Sequence, residues 1–332
     1  MKHINVALFV PHLGCPHNCI FCDQRAISGV RSMITREEIE NACRVASKTP
    51  HDINNSEIAF FGGSFTAVDR DIQKMCLETA SRFVGSEFGG IRISTRPDCI
   101  DGEELDFLKS YGVTAIELGA QSMFQSVLDA NERGHSPEDT VRASALIKER
   151  GFSLGLQMMT GLYGSDGDMD RETARRFIEL RPDTVRIYPT VVLKNTRLMR
   201  LYEEKKYIPP DFDETAELCA ELLQMFRSEN IKVIRLGLHS GGGVGSDFAA
   251  GVYHPAFGEI CESIIFRKET EKLLSGRPGG FYRVTVNPAD ISKAVGQKKS
   301  NILFFKNRGY YLTVSGSDLI EKGSVEVAPE RN

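Results

Sequence analysis

Seven short runs rich in apolar and β-branched residues recur through the first two thirds of the chain, at positions 5–10, 58–61, 91–94, 115–118, 154–158, 184–188 and 232–236. Stretches long enough for helices separate them, among them 35–48, 69–84, 139–150 and 214–229. Thr35 followed by Glu38 matches a capping box and sets the start of the first. Strands alternating with helices pair in parallel, because a parallel neighbour is reached only by a long crossover. Six or seven such units predict an α/β chain folded as a partial or complete TIM-like (β/α) barrel rather than an open doubly wound sheet. Barrels of this kind carry their chemistry where strands end and βα loops begin.

Polar residues and glycines collect at those positions. Cys15, Cys19 and Cys22 follow the first run, Gly62, Gly63 and Ser64 the second, Ser94 and Arg96 the third, and Gln121 the fourth. Thr160 and Gly161 follow the fifth, and Tyr188 ends the sixth. A lone Gly-Gly pair after a strand is a turn more often than a ligand site. Recurrence at successive strand ends points to one shared rim. The three thiols are spaced C-x3-C-x2-C within Gly14 to Gln24. Three thiolates bind three irons of a cubane and leave the fourth iron open for chemistry. Phe21 supplies an apolar wall between the second and third ligands. A zinc site using His12 or His17 as a fourth ligand is the alternative. A disulfide reading is weaker, since three clustered thiols are an odd set. Cys43, Cys76, Cys99, Cys219 and Cys261 are scattered and read mostly as small buried hydrophobes.

With these cysteines the sequence resembles the radical S-adenosylmethionine (SAM) enzymes, and four further segments narrow the resemblance. Phe60 to Thr66 (FFGGSFT), Ile93 to Asp98 (ISTRPD), Glu117 to Ser122 (ELGAQS) and Arg133-Gly134-His135 look like members related to the elongator catalytic subunit, and Arg186 to Thr190 (RIYPT) continues the match. The resemblance implies a 4Fe-4S cluster held by Cys15, Cys19 and Cys22. It implies SAM chelated at the open iron and cleaved by one electron to a 5'-deoxyadenosyl radical, with a flavodoxin or ferredoxin as electron donor. It also places Phe21, Gly62, Gly63, Ser64, Ser94, Arg96 and Gln121 around SAM. A salt bridge from Arg96 to Asp98 or Glu117 is the competing structural role. The elongator subunit carries an acetyltransferase domain after its barrel. This chain is expected to be a shorter, bacterial-type relative without one, so acetyl-CoA chemistry is not carried over. The first cysteine gap is also more compact than in many elongator-type proteins.

Composition fits a globular protein of about two domains: 332 residues, 41% hydrophobic and 26% charged. The first apolar run is too short for a membrane span and lacks a cleavage signal, so a cytoplasmic protein without membrane association is expected. The expected boundaries are 1–239 for the barrel, 240–280 for a Gly-rich linker and barrel cover, and 281–332 for a small C-terminal module. Tyr253, His254 and Glu259 in the middle segment are expected to cover the rim rather than face substrate. The last module reads strand, helix, tight turn, helix, strand, which is the core of a KH-like fold. Residues 295–302 resemble the KH loop that grips nucleotide phosphates, with Lys299 where the second glycine usually stands. Residues 283–308 hold six basic groups and one acidic group, whereas the whole chain has net charge −4. Basic charge is thus concentrated in this module. Lys293, Gly296, Lys298, Lys299 and Lys306 are the expected RNA contacts, and the expected function is radical modification of a substrate, with a tRNA base as the leading expectation. A tetrapyrrole enzyme like oxygen-independent coproporphyrinogen oxidase and a non-catalytic zinc-containing RNA-binding protein are the alternatives.

Overall fold

The structure is a computed structural model that describes residues 3–10, 17–23, 33–238 and 247–330. All seven expected strands form. They are β1 (Asn5–Val10), β2 (Glu57–Gly62), β3 (Gly90–Thr95), β4 (Val113–Gln121), β5 (Ser153–Thr160), β6 (Thr184–Pro189) and, after a short β7 (Val191–Leu193) outside the sheet, β8 (Lys232–Leu236). They pair in parallel in the order β1-β2-β3-β4-β5-β6-β8. β1 and β8 remain as edges among the described residues, so the barrel is partial. β7 pairs antiparallel with β9 (Phe248–Gly251).

Period-two alternation decides what each sheet face carries. Ile58, Phe60, Ile91, Ile93, Ile116, Leu118, Leu154, Val185 and Ile187 are buried on one face, where the crossover helices supply the apolar cover that parallel sheets need. Alternate positions place Glu57, Arg92, Ser94, Glu117 and Arg186 on the other face, where they contact one another. Thr35 caps helix Arg36–Ser47 as its pattern requires: Glu38 N–H donates to Thr35 Oγ1, and Thr35 N–H donates back to Glu38 at 2.7 Å. Helices Arg70–Ser81, Pro137–Glu149 and Phe212–Ser228 lie where the sequence places them. Helices Gly102–Ser110, Gln125–Ala130, Gly167–Leu180 and Arg197–Glu203 complete the crossovers and loops.

Two compact units divide the chain: residues 1–210 with 226–253, and residues 211–225 with 254–332. In the second unit, β10 (Gly280–Val286) is central, parallel to β11 (Tyr310–Gly316) and antiparallel to β12 (Val325–Pro329). Short helices Ile291–Val295 and Ser300–Lys306 connect β10 to β11, reproducing the expected strand-helix-helix-strand order. β12 was not anticipated. Nor was helix Phe257–Leu274, which occupies 18 residues of the 240–280 stretch expected to be linker and cover, whose Gly-rich start at 240–246 lies outside the described residues. Its Phe266 packs with Val284, Val286 and Ala294, and its Leu274 with Tyr282 and Phe305. Burying each such side chain contributes about 1.5–3 kcal/mol, so the helix belongs to the core of this unit.

Candidate active site

The loop after β1 brings Cys19 and Cys22 together through a tight turn in which Cys22 N–H donates to Cys19 O at 3.1 Å. Cys15 lies outside the described residues. Two segments distant in sequence hold the turn. Ile20 N–H donates to Asn131 O, Leu198 N–H to Ile20 O, and Arg197 Nη2 to Asn18 O at 2.7 Å. Gly134 has φ +71°, and a Cβ there would stand 2.4 Å from the His17 ring, so a side chain would push the loop away. Phe21 packs against the apolar cluster of Ile20, Val192, Leu198 and Tyr207.

Cys19 is buried, and Arg133 Nη1 donates to its sulfur at 3.1 Å. The other end of that guanidinium is held by Gly119 O, and Arg133 O accepts from Arg96 Nη2. Arg96 itself makes a two-pronged pair with Asp98, both contacts 2.9 Å. Burial pulls the Arg96 guanidinium down, but Asp98 more than reverses this and holds it protonated. The competing role given to Arg96 above is therefore present, and Asp98 is its partner. Burial, with Arg133 and Arg96 close by, lowers His135 to about 4, leaving the ring neutral near pH 7. His135 Nε2 donates to Ala120 O at 3.2 Å, so its Nδ1 keeps a lone pair.

The sequence-chosen residues occupy two layers. Gly62 closes β2 with φ +123°, and a Cβ there would meet Val10 O at 2.1 Å, so only glycine lets the two strand ends approach. The Ser64 hydroxyl bonds Thr95 Oγ1 at 2.7 Å and accepts from Arg96 N–H, tying the loop after β2 to the loop after β3. Gly63 is half-buried in the loop after β2. Gln121 ends β4 buried with φ +68°, a left-handed conformation that costs a non-glycine residue roughly 1–2 kcal/mol. Ser94 faces deeper into the polar side of the sheet, near Glu117 at 3.5 Å. There Glu117 receives Arg186 at 2.7 Å and Arg92 at 3.3 Å, and Arg92 also pairs with Glu57 at 2.7 Å. Burial opposes the charge of Arg186, yet Glu117 more than compensates and pushes the guanidinium above its usual range. The expected site residues did not include Arg133, His135, Arg92, Glu117 or Arg186, although the motif segments at Arg133 to His135, Glu117 to Ser122 and Arg186 to Thr190 were visible signals for all of them but Arg92.

Four buried polar atoms of this constellation lack a hydrogen-bond partner among the described residues: Arg96 Nη1, Gln121 Oε1, Arg133 Nε and His135 Nδ1. Buried donors and acceptors are normally satisfied, so the set fits a polar ligand bearing both acceptor and donor groups. SAM is such a ligand. Thiolates at Cys19 and Cys22 fit iron-sulfur ligation. Among the described residues no group of three His, Cys, Asp or Glu side chains forms a metal site.

In the second unit, Gly296, Lys298 and Lys299 all have positive φ, at 78°, 51° and 63°. Lys298, Lys299 and Lys306 are exposed. Lys293 is tied to Asp290 at 2.9 Å and lies 4.0 Å from Glu262, so its charge is already matched. Asn301 is buried under the loop, and its amide donates to Ser263 O, Ser263 Oγ, Lys293 O and Ala294 O. No helix among the described residues is long and apolar enough to cross a membrane.

Residues 9–178 match the family model described as Radical SAM superfamily, and residues 182–266 match the Radical_SAM C-terminal domain. The chain is 28% identical over 256 residues to the tRNA uridine(34) acetyltransferase of Methanocaldococcus jannaschii, covering 65% of this chain and 47% of that protein. It is 26% identical over 196 residues to Elongator complex protein 3 of Saccharomyces cerevisiae, covering 53% and 35% respectively. The structure of archaeal Elp3 from Methanocaldococcus infernus superposes with a TM-score of 0.65 at 21% identity, over 81% of this chain and 64% of that one. The chain spans half or less of the length of these two curated relatives.

Proposed function

The chain belongs to the radical SAM superfamily as a relative of the elongator catalytic subunit, and from that premise we propose that this radical SAM enzyme uses a 4Fe-4S cluster and SAM to modify a tRNA base. When bound, the reduced cluster supplies the electron that cleaves the SAM sulfonium. Cys19 and Cys22, with Cys15, would hold it. Arg133 would orient Cys19 through the 3.1 Å contact, and the neutral His135 would offer an acceptor beside it. Gly62 and Gly63 would admit the amino end of SAM, and Arg96 and Gln121 would line its site. The observation that carries this reading is the set of four unpartnered polar atoms gathered around Cys19 and Arg133. An RNA substrate is supported by the names of the similar proteins and by the basic loop at Lys298 and Lys299. The strand order of the second unit is compatible with a KH-like role for that loop. A flavodoxin or ferredoxin would deliver the electron.

Anaerobic reconstitution with iron and sulfide, followed by SAM and dithionite, should give 5'-deoxyadenosine. Formation should be lost in a Cys15→Ala, Cys19→Ala, Cys22→Ala variant. An intact cluster without product on addition of tRNA would refute the reading. RNA docking is best tested by Lys298→Glu with Lys299→Glu. Deleting residues 281–332 would strip the cover from Phe266 and Leu274 and unfold the helix that bears them. The charge reversal should weaken tRNA binding while leaving SAM cleavage unchanged. Unaltered tRNA affinity would remove the loop from the RNA interface.

A further inference from the structure

The three-stranded sheet of the second unit has one covered and one open face. Tyr282, Val284 and Val286 of β10 point into the core, so their alternates Phe281 and Arg283 lie on the opposite side. Phe281 stands directly beside Tyr311 of the parallel β11. Their rings stack with centroids 4.9 Å apart and planes inclined by 23°, and they are 50% and 45% exposed. A cross-strand aromatic pair stabilises a sheet by about 0.2–1 kcal/mol. That role does not need both rings held half in water.

Cations flank the strand starts at this end of the sheet, while the open face itself carries the Arg283–Glu330 pair and the exposed Glu326 opposite Thr285. Gly280 N–H bonds Gly309 O, and Tyr310 Oη donates to Arg277 O, which draws Arg277 and the Lys306 to Arg308 turn to the strand starts that carry the aromatic pair. Lys306 and Arg308 are exposed, with Arg308 resting over the Phe304 ring at 3.5 Å, and Arg277 donates to Val327 O at 3.1 Å, leaving their remaining N–H groups for phosphate. The nearby Glu330 is matched by Arg283 at 2.7 Å. Nucleobases stack on exposed aromatic rings of open sheets, and flanking cations hold their phosphates.

We propose that Phe281 and Tyr311 form a stacking platform for the bases of single-stranded RNA, with Arg277, Lys306 and Arg308 meeting the backbone. The platform is separate from the Gly296 to Lys299 loop and deepens the RNA reading, on which it rests. Tyr311 lies on the edge strand β11, so a base extends the stack from its outer face, while Phe281 on the central strand is flanked on its far side by Glu330, whose N–H donates to Phe281 O.

The chain has no tryptophan, so Tyr311→Trp creates a single reporter in the full-length protein. An eight-nucleotide oligouridylate should quench its fluorescence, and an abasic ribose-phosphate oligomer of equal length should not. Phe281→Ala combined with Tyr311→Ala should weaken oligouridylate binding about 10-fold or more. Cooperative unfolding should be retained, with the melting temperature lowered by no more than a few degrees, because about half of each ring is already in water. Equal quenching by the two oligomers, or wild-type affinity in the double variant, overturns the platform. A change in solution mass for the double variant with RNA affinity intact would assign the face to a second copy of this chain and overturn it too. If tRNA binding is lost only on Lys298→Glu with Lys299→Glu, the RNA reading stands and the platform alone fails. If the wild-type protein binds neither tRNA nor oligouridylate, both fail.

Discussion

Glu117 is the hinge of the charged network inside the sheet, and Glu117→Gln tests it with little change of shape. The carboxylate is almost fully buried and meets Arg186 at 2.7 and 2.9 Å and Arg92 at 3.3 Å. Arg92 would keep Glu57. Arg186 would keep the amide oxygen of the substituted side chain as an acceptor, Tyr188 Oη at 3.4 Å and the Phe61 ring at 5.0 Å, but among the described residues no charge to balance its own. Removing one partner from a buried ion pair costs about 3–5 kcal/mol, mostly because the remaining charge is left in a medium of low dielectric. At about 2–4 °C per kcal/mol for a unit of this size, the melting temperature should fall by roughly 6–20 °C. Thermal and urea unfolding followed by circular dichroism would measure it. Adding Arg186→Met should recover part of the loss, since the double variant buries no uncompensated charge at that position. A fall below about 2 °C in the single variant, or additive losses in the double variant, would refute the reasoning.

Two further outcomes are expected. His135 is held down to about 4 by burial and the neighbouring Arg133 and Arg96, so its contribution is complete above its unfolded value near 6.5 and is lost as pH falls toward 4, amounting to about 3 kcal/mol. Asp170 is raised to about 6 by burial, so its contribution is complete below its unfolded value near 3.9 and is lost as pH rises to 6. The two slopes oppose each other between pH 4 and 6. Relative to wild type, His135→Gln should therefore tilt stability downward with rising pH and Asp170→Asn upward, as read by urea midpoints across that range. Parallel profiles in all three proteins would exclude both shifts. Asn301→Ala should lose about 1–3 kcal/mol by leaving the Lys293 and Ala294 carbonyls without their side-chain donor. Hydrogen exchange should then quicken in residues 293–299, and unchanged exchange there would show that the loop does not depend on this amide.

The sequence by itself determined the alternation of strands and helices, the cysteine loop after the first strand, and the placing of polar residues at strand ends. These are local signals, because strand and cap patterns are written within a few residues of each other and Thr35 needs only Glu38 to start its helix. It could not show helix Phe257–Leu274. Phe257, Cys261, Ile264, Ile265, Phe266 and Leu274 are all buried. A helix packed on several sides has no single apolar stripe for the 3.6-residue period to display. Beyond the local Arg96–Asp98 pair, tertiary structure alone decided the site's polar partners. Arg133 reaches Cys19 across 114 positions, and Glu117 gathers Arg92 and Arg186 from two other strands. Which side chains meet there depends on strand register and on the face each strand turns to the helices, and both are settled only when the whole sheet assembles.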